Sequence, residues 1–170
     1  VRVLDRPETA RGRALYQALL GVHAQIRQAL VSIRRLATEA ADGLDAGELR
    51  EQLHELKRDS ILWQLQVNCL RYCRFVHAHH NAEDRDFFVE LRGTDPAISP
   101  VIDRLEAEHR RVSGDLDAVE AAARSLQDDG GHEARQAVVD ALHGLEENLL
   151  AHLDYEELNI ESTVRRMRDW

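Results

Sequence analysis

Tyr72-Cys73-Arg74-Phe75-Val76-His77-Ala78-His79-His80-Asn81-Ala82-Glu83-Asp84-Arg85-Asp86-Phe87 carries an apolar stripe that turns polar in mid-course. Leu65, Cys69, Tyr72 and Val76 recur at spacings of three and four, and His79, Glu83, Phe87 and then Leu91 continue the same stripe. Side chains four apart on a helix stand one above the other, so His79 and Glu83 point an imidazole and a carboxylate into the core together. A core glutamate is costly unless its charge is paired or coordinates a metal. The stretch therefore predicts a helix whose buried face becomes ligating near its end.

Three further stripes have the same period. They are Tyr16, Leu19, His23, Ile26, Leu30, Ile33, Ala37; then Ile102, Leu105, His109, Val112, Leu116, Val119, Ala123, Leu126; then Val138, Leu142, Leu145, Leu149, His152, Glu156. Each contains one histidine, and the last repeats the imidazole–carboxylate pair. No segment reads as a strand. The breaks are Asp42-Gly43, Gly93 to Pro100 and Asp128-Asp129-Gly130-Gly131, with Ser99-Pro100 as a cap and first-turn proline and Asp45 with Glu48 as a capping box. A helix from Ala46 to Arg92 would be about 70 Å long, so a break is placed near Asp59-Ser60. The fold expected is all-α: an up-down-up-down antiparallel four-helix bundle with a short accessory helix between core helices 1 and 2. Residues 1–170 are read as a single domain, with its core over about 10–167.

In antiparallel helices rising ~1.5 Å per residue, His23, His79, His109 and His152 fall roughly 16 to 22 Å from one end of the bundle. They form one layer. Imidazole with carboxylate suits iron, manganese or zinc, and a glutamate can span two ions. Glu83 and Glu156 as bridges, His23 and His79 on one ion, and His109 and His152 on the other make a dinuclear centre with open positions. The competing reading is a metal-free network of buried ion pairs, which rarely repays its desolvation. His80 is a further candidate, as a ligand or as a hydrogen-bond donor to a carboxylate. Cys73, His77 and His80 are a conceivable second site that lacks ligands from elsewhere. His143-x-x-x-Glu147 is out of phase and reads as surface, as do His54 and His132. Tyr72 needs a partner for its hydroxyl.

Other classes are disfavoured. Acidic residues outnumber basic ones by 31 to 22, and a net charge of -9 repels phosphate, so neither nucleic acid nor an anionic membrane is an expected partner. No run reaches the ~18 apolar residues of a membrane span, and residues 1–10 lack a targeting pattern. Two cysteines four apart on one helix suit free thiols and a cytoplasmic location.

His23, the run from His79 to Asp84, Glu108-His109 and the run from His152 to Glu157 resemble the hemerythrin-like, HHE cation-binding family, over about Leu15 to Ile160. The resemblance implies a non-haem centre of two iron ions, with manganese or zinc as weaker alternatives. It implies terminal nitrogens from His23, His79, His109 and His152, and bridges from Glu83 and Glu156. Oxygen-carrying members place two histidines four apart on the third helix, where this chain has Leu105 and Ser113 around His109. One nitrogen is then missing unless His80, Glu108 or solvent replaces it. Glu156 stands where those carriers use aspartate, and both departures point away from a dedicated carrier. The function expected is binding or reaction with dioxygen or a related small oxidant. A peroxide-consuming or oxidase enzyme, and an iron or redox sensor acting through a protein partner, are the alternatives. The oligomeric state is open.

Overall fold

The computed structural model describes residues 6–43 and 60–168. Helix α1 spans Ala10–Asp42 and α2 spans Ile61–Ala82. A π-helical turn, Glu83–Phe87, joins α2 to the short α3, Phe88–Thr94. After a 3-10 turn at Pro96–Ile98 come α4, Ser99–Ser125, and α5, His132–Val164. Four rods result, with α2 and α3 sharing one of them. The neighbour pairs α1·α2, α2·α4, α4·α5 and α5·α1 close a ring, which is the expected bundle.

Local signals set the helix ends. The Thr9 side chain accepts from the Gly12 amide, and the Ser60 side chain from the Trp63 amide, so α2 begins where the length argument puts a break. The Asp45–Glu48 box, His54 and the accessory helix lie outside the described residues. Ser99 departs from expectation: it is already helical, and its hydroxyl donates to the Pro96 carbonyl, while Asp95 caps the 3-10 turn. The proline-containing turn enters the helix directly, so no separate cap is needed.

The apolar core comes in two parts. One holds Ile26, Leu30, Val76, Val112, Leu116, Leu145 and Leu149 among others, and the second holds Tyr16, Leu19, Phe88, Leu91, Ile102, Leu105 and Ile160. His23 separates Leu19 from Ile26, and His109 separates Leu105 from Val112, so a polar layer divides the core. In the second rod the predicted stripe slips. Phe88 is fully buried in place of Phe87, because the Phe88 amide bonds five residues back to the Glu83 carbonyl and the wider turn absorbs one residue.

The far end of the bundle is tied by backbone proximity. The Thr9 amide donates to the Arg165 carbonyl at 2.8 Å, and its hydroxyl donates to the Met167 carbonyl at 2.5 Å. A Cβ on Gly12 would meet the Val164 carbonyl oxygen and stand 2.5 Å from the Arg165 carbonyl carbon, whereas one on Gly21 meets nothing. Gly12→Ala is expected to destabilise the fold by about 2 kcal/mol, as backbone cannot yield like a flexible side chain. Gly21→Ala should instead stabilise by about 0.5 kcal/mol through helix propensity. Thermal unfolding of the two variants should move the midpoint in opposite directions; equal shifts would contradict the close approach.

Candidate metal centre

Four rods send seven side chains into the polar layer: His23 from α1, His79, His80 and Glu83 from the second rod, His109 from α4, and His152 and Glu156 from α5. Consecutive residues on a helix point about 100° apart. In a bundle, that angle separates the two neighbours of α2. His79 therefore turns toward α1, its ring centroid 5.2 Å from that of His23, while His80 turns toward α4 and stacks on His109 at 4.0 Å. Ligating atoms gather in three overlapping groups: His23, His79 and Glu83; His80, His109 and His152; and Glu83, His109 and Glu156, each within 4.8 Å.

Carboxylates behind the rings fix which nitrogen faces inward. His23 Nδ1 lies 2.8 Å from Glu157, His109 Nδ1 2.7 Å from Asp84, and His152 Nδ1 3.2 Å from Glu108. An ionised carboxylate only accepts, so each of these rings carries its proton on Nδ1 and presents a bare Nε2 lone pair to the centre. Arg27 braces Glu157 at 2.7 Å and Asp154 at 2.8 Å, and Arg104 braces Glu108 at 2.8 Å. The Nε2 atoms of His109 and His152 then face each other 3.1 Å apart with no proton between them. Nitrogens ~2.1 Å from one ion stand ~3.0 to 3.4 Å apart, so both rings could hold a shared cation.

Protein groups do not satisfy the layer. His23 Nε2, His79 Nε2, His80 Nε2 and all four carboxylate oxygens of Glu83 and Glu156 are buried without a hydrogen-bond partner. Such atoms are rare singly in native interiors, and seven gathered in one layer form clusters able to hold metal ions. His79 Nε2 is 3.2 Å from Glu83, His109 Nε2 3.5 Å from Glu83, and His23 and His152 Nε2 are 3.5 and 3.6 Å from Glu156. Burial holds the imidazoles neutral, lowering His23 to about 4 and His79 to about 3, with His80, His109 and His152 lowered too. It also raises both glutamates. Neutral imidazole is the form that ligates, and the glutamates ionise when a cation repays their desolvation.

The hemerythrin HHE cation-binding domain matches residues 45–163. The chain belongs to that family. The match takes in five of the six principal candidates; His23, on α1, precedes it. Among curated proteins and solved structures, none matches the chain. As a hemerythrin-like domain, the bundle presents histidine and glutamate clusters able to hold a pair of metal ions.

The six principal candidates all meet in this layer, and His80 joins them. Its signal in the sequence was its place beside His79 on a helix with a neighbour on each side. Glu108 stands behind His152, between that ring and Arg104, and is not among the converging groups. Asp84 and Glu157 went unassigned because their roles depend on contacts between helices. Leu105 is buried in the apolar core, and Ser113 is only partly buried. Cys73, His77 and His80 do not come together: Cys73 donates to the Leu116 carbonyl and His77 lies 3.5 Å from Asp117. His143 is exposed beside Glu146 and Glu147, and His132 is exposed at the start of α5. The Tyr72 hydroxyl donates to the Ile26 carbonyl at 3.2 Å. No helix among the described residues is long and apolar enough to cross a membrane.

Metal-free protein should be most stable near pH 6.5, the ordinary imidazole value. As pH falls below it, the unfolded chain takes up protons that five buried imidazoles refuse, so stability is lost. As pH rises above 4.5, unfolded carboxyls ionise while Glu83 and Glu156 keep their protons, which opposes stability. Imidazoles outnumber carboxyls, so the first effect governs below the optimum and the second above it. Thermal midpoints of chelator-treated protein should fall on both sides; a midpoint that keeps rising to pH 8.5 would contradict this account.

Proposed function

We propose that the protein is a di-iron protein that binds or reacts with dioxygen or a related small oxidant such as peroxide. His80, His109 and His152 would hold one iron and His23 and His79 the other, with Glu83 and Glu156 shared between them. The observation that carries the reading is the 3.1 Å approach of two bare Nε2 atoms beside four unpartnered carboxylate oxygens. Imidazole and carboxylate suit iron, manganese or zinc alike, and membership of the family favours iron. Reduced iron in such a pair supplies electrons to a small oxidant.

The chain's own residues divide the work. His80 makes up the nitrogen that Leu105 and Ser113 do not provide, so ligand number no longer distinguishes the centre from a carrier; Glu156 in place of aspartate still does. His80, His109 and His152 would give one ion three nitrogens and His23 and His79 would give its neighbour two, which would leave the latter more room for a small ligand. Ile26, Leu30, Val76, Val112 and Leu149 are buried on one side of the layer and limit water there. Those apolar side chains suit a small uncharged ligand. We read residues 1–170 as one cytoplasmic domain.

Anaerobic purification with metal analysis, and optical spectra before and after admitting oxygen, test the proposal. About two irons per chain and an oxygen-dependent spectral change are expected. His80→Ala should lower the count toward one, and Glu156→Ala should disrupt both ions. His143→Ala should leave two. Saturation at one iron with Glu156→Ala unchanged would sink the dinuclear reading.

Removing the metals leaves the lone pairs and carboxylates facing one another. Chelation should therefore lower the thermal midpoint, with recovery on adding iron. Equal midpoints for metal-free and metal-loaded protein would count against a structural contribution from the metals.

A further inference from the structure

The two halves of the polar layer are not held alike. Glu83 stands near His79 and His109, at 3.2 and 3.5 Å, and Glu156 near His23 and His152, at 3.5 and 3.6 Å. The carboxylates are therefore shared evenly between the halves, and the nitrogens make the difference. His109 and His152 are both held from behind, by Asp84 and by Glu108, and their ring centroids are 4.6 Å apart. In the other half only His23 is held, by Glu157, and its ring centroid is 5.2 Å from that of His79. Among the described residues His79 has a carboxylate contact only at Nε2, to Glu83, which a cation would share and which does not brace the ring from behind. His79 also stands at the edge of the layer, its side chain 10% exposed while the other six converging side chains are buried.

We infer that the halves load in order: a divalent cation is taken up first and more tightly at His109 and His152, and the cation at His23 and His79 is held more weakly and exchanges with solvent from the His79 edge. The order of loading rests on the dinuclear reading, since it concerns the two ions of that centre. A ring already fixed by an outer carboxylate binds without losing rotamer freedom, and loss of one such carboxylate weakens metal binding about 10- to 100-fold. Two braced rings against one separate the halves by about one such step. His80 stacks on His109 and adds a third nitrogen to the tighter half. Once the first cation draws on Glu83 and Glu156, the second meets carboxylates already partly neutralised and a like charge at short range, which widens the separation. The paired centre then assembles only as free metal rises past the second step, and a one-ion form fills the interval below it. Metal supply at the His79 edge thus sets how much of the protein carries the pair.

The test is a titration of the metal-free full chain with zinc against a fluorescent chelator, followed in parallel by imidazole nitrogen shifts in NMR. Two steps about tenfold or more apart are expected, with Nε2 of His109 and His152 shifting at the first equivalent and Nε2 of His23 and His79 only at the second. Glu108→Ala removes a brace from the first half and should narrow the gap between the steps about tenfold; Glu157→Ala removes the one brace of the second half and should widen it by as much. A general loosening of the fold would weaken both steps together, so the opposite signs isolate the bracing. His79→Ala should keep one tight zinc ion. If a variant fails to fold, the order of the shifts in the unaltered chain decides by itself. Two zinc ions of equal affinity, His23 and His79 shifting first, or both braces changing the gap in the same direction would overturn the order of loading and leave the pair standing. Saturation of the unaltered chain at one zinc ion would instead remove the pair itself.

Discussion

Two imidazole nitrogens that face each other without a proton between them set the terms for this fold. His109 and His152 are each committed at Nδ1 to a carboxylate, so their Nε2 lone pairs repel across 3.1 Å unless a cation lies between. Four buried carboxylate oxygens beside them lack hydrogen-bond partners. An apolar layer at this level would pack without any partner. The bundle gives up that contribution at mid-core, and the two apolar clusters on either side must hold the rods in place around it.

The outer carboxylates make the layer a property of the whole assembly. Glu157 on α5 holds His23 on α1; Asp84 in the π turn holds His109 on α4; Glu108 on α4 holds His152 on α5. Each ring is thus oriented by a different rod from the one that carries it, and the rods cannot slide without losing ring orientation. Arg27 and Arg104 extend this bracing toward the surface. Such support narrows the rotamers of the rings, the usual means by which proteins keep a donor set shaped for a metal before it binds.

The second rod carries the largest local deviation. Its π turn starts at Glu83 and brings Phe88 into the core. One extra residue lets Glu83 face the layer, Asp84 reach His109 and Phe88 resume the apolar stripe below. π turns are costly in hydrogen-bond geometry and recur where function needs a side chain re-aimed, which fits this position.

The sequence by itself determined the four rods, their antiparallel order and the level of the polar layer, because buried faces repeat every three to four residues and short connections force neighbours to reverse. It also named His23, His79, Glu83, His109, His152 and Glu156, since polar groups in an apolar stripe stand out against that period. The tertiary structure decided the rest. His80 joined the centre because α2 has a neighbour on each side, which the phase of a single helix does not reveal. Glu108, Asp84 and Glu157 took their places behind the rings because a carboxylate's reach depends on the spacing between rods. Phe88 replaced Phe87 because a π turn breaks the 3.6-residue period on which the stripe depends, and periodicity cannot register its own interruption.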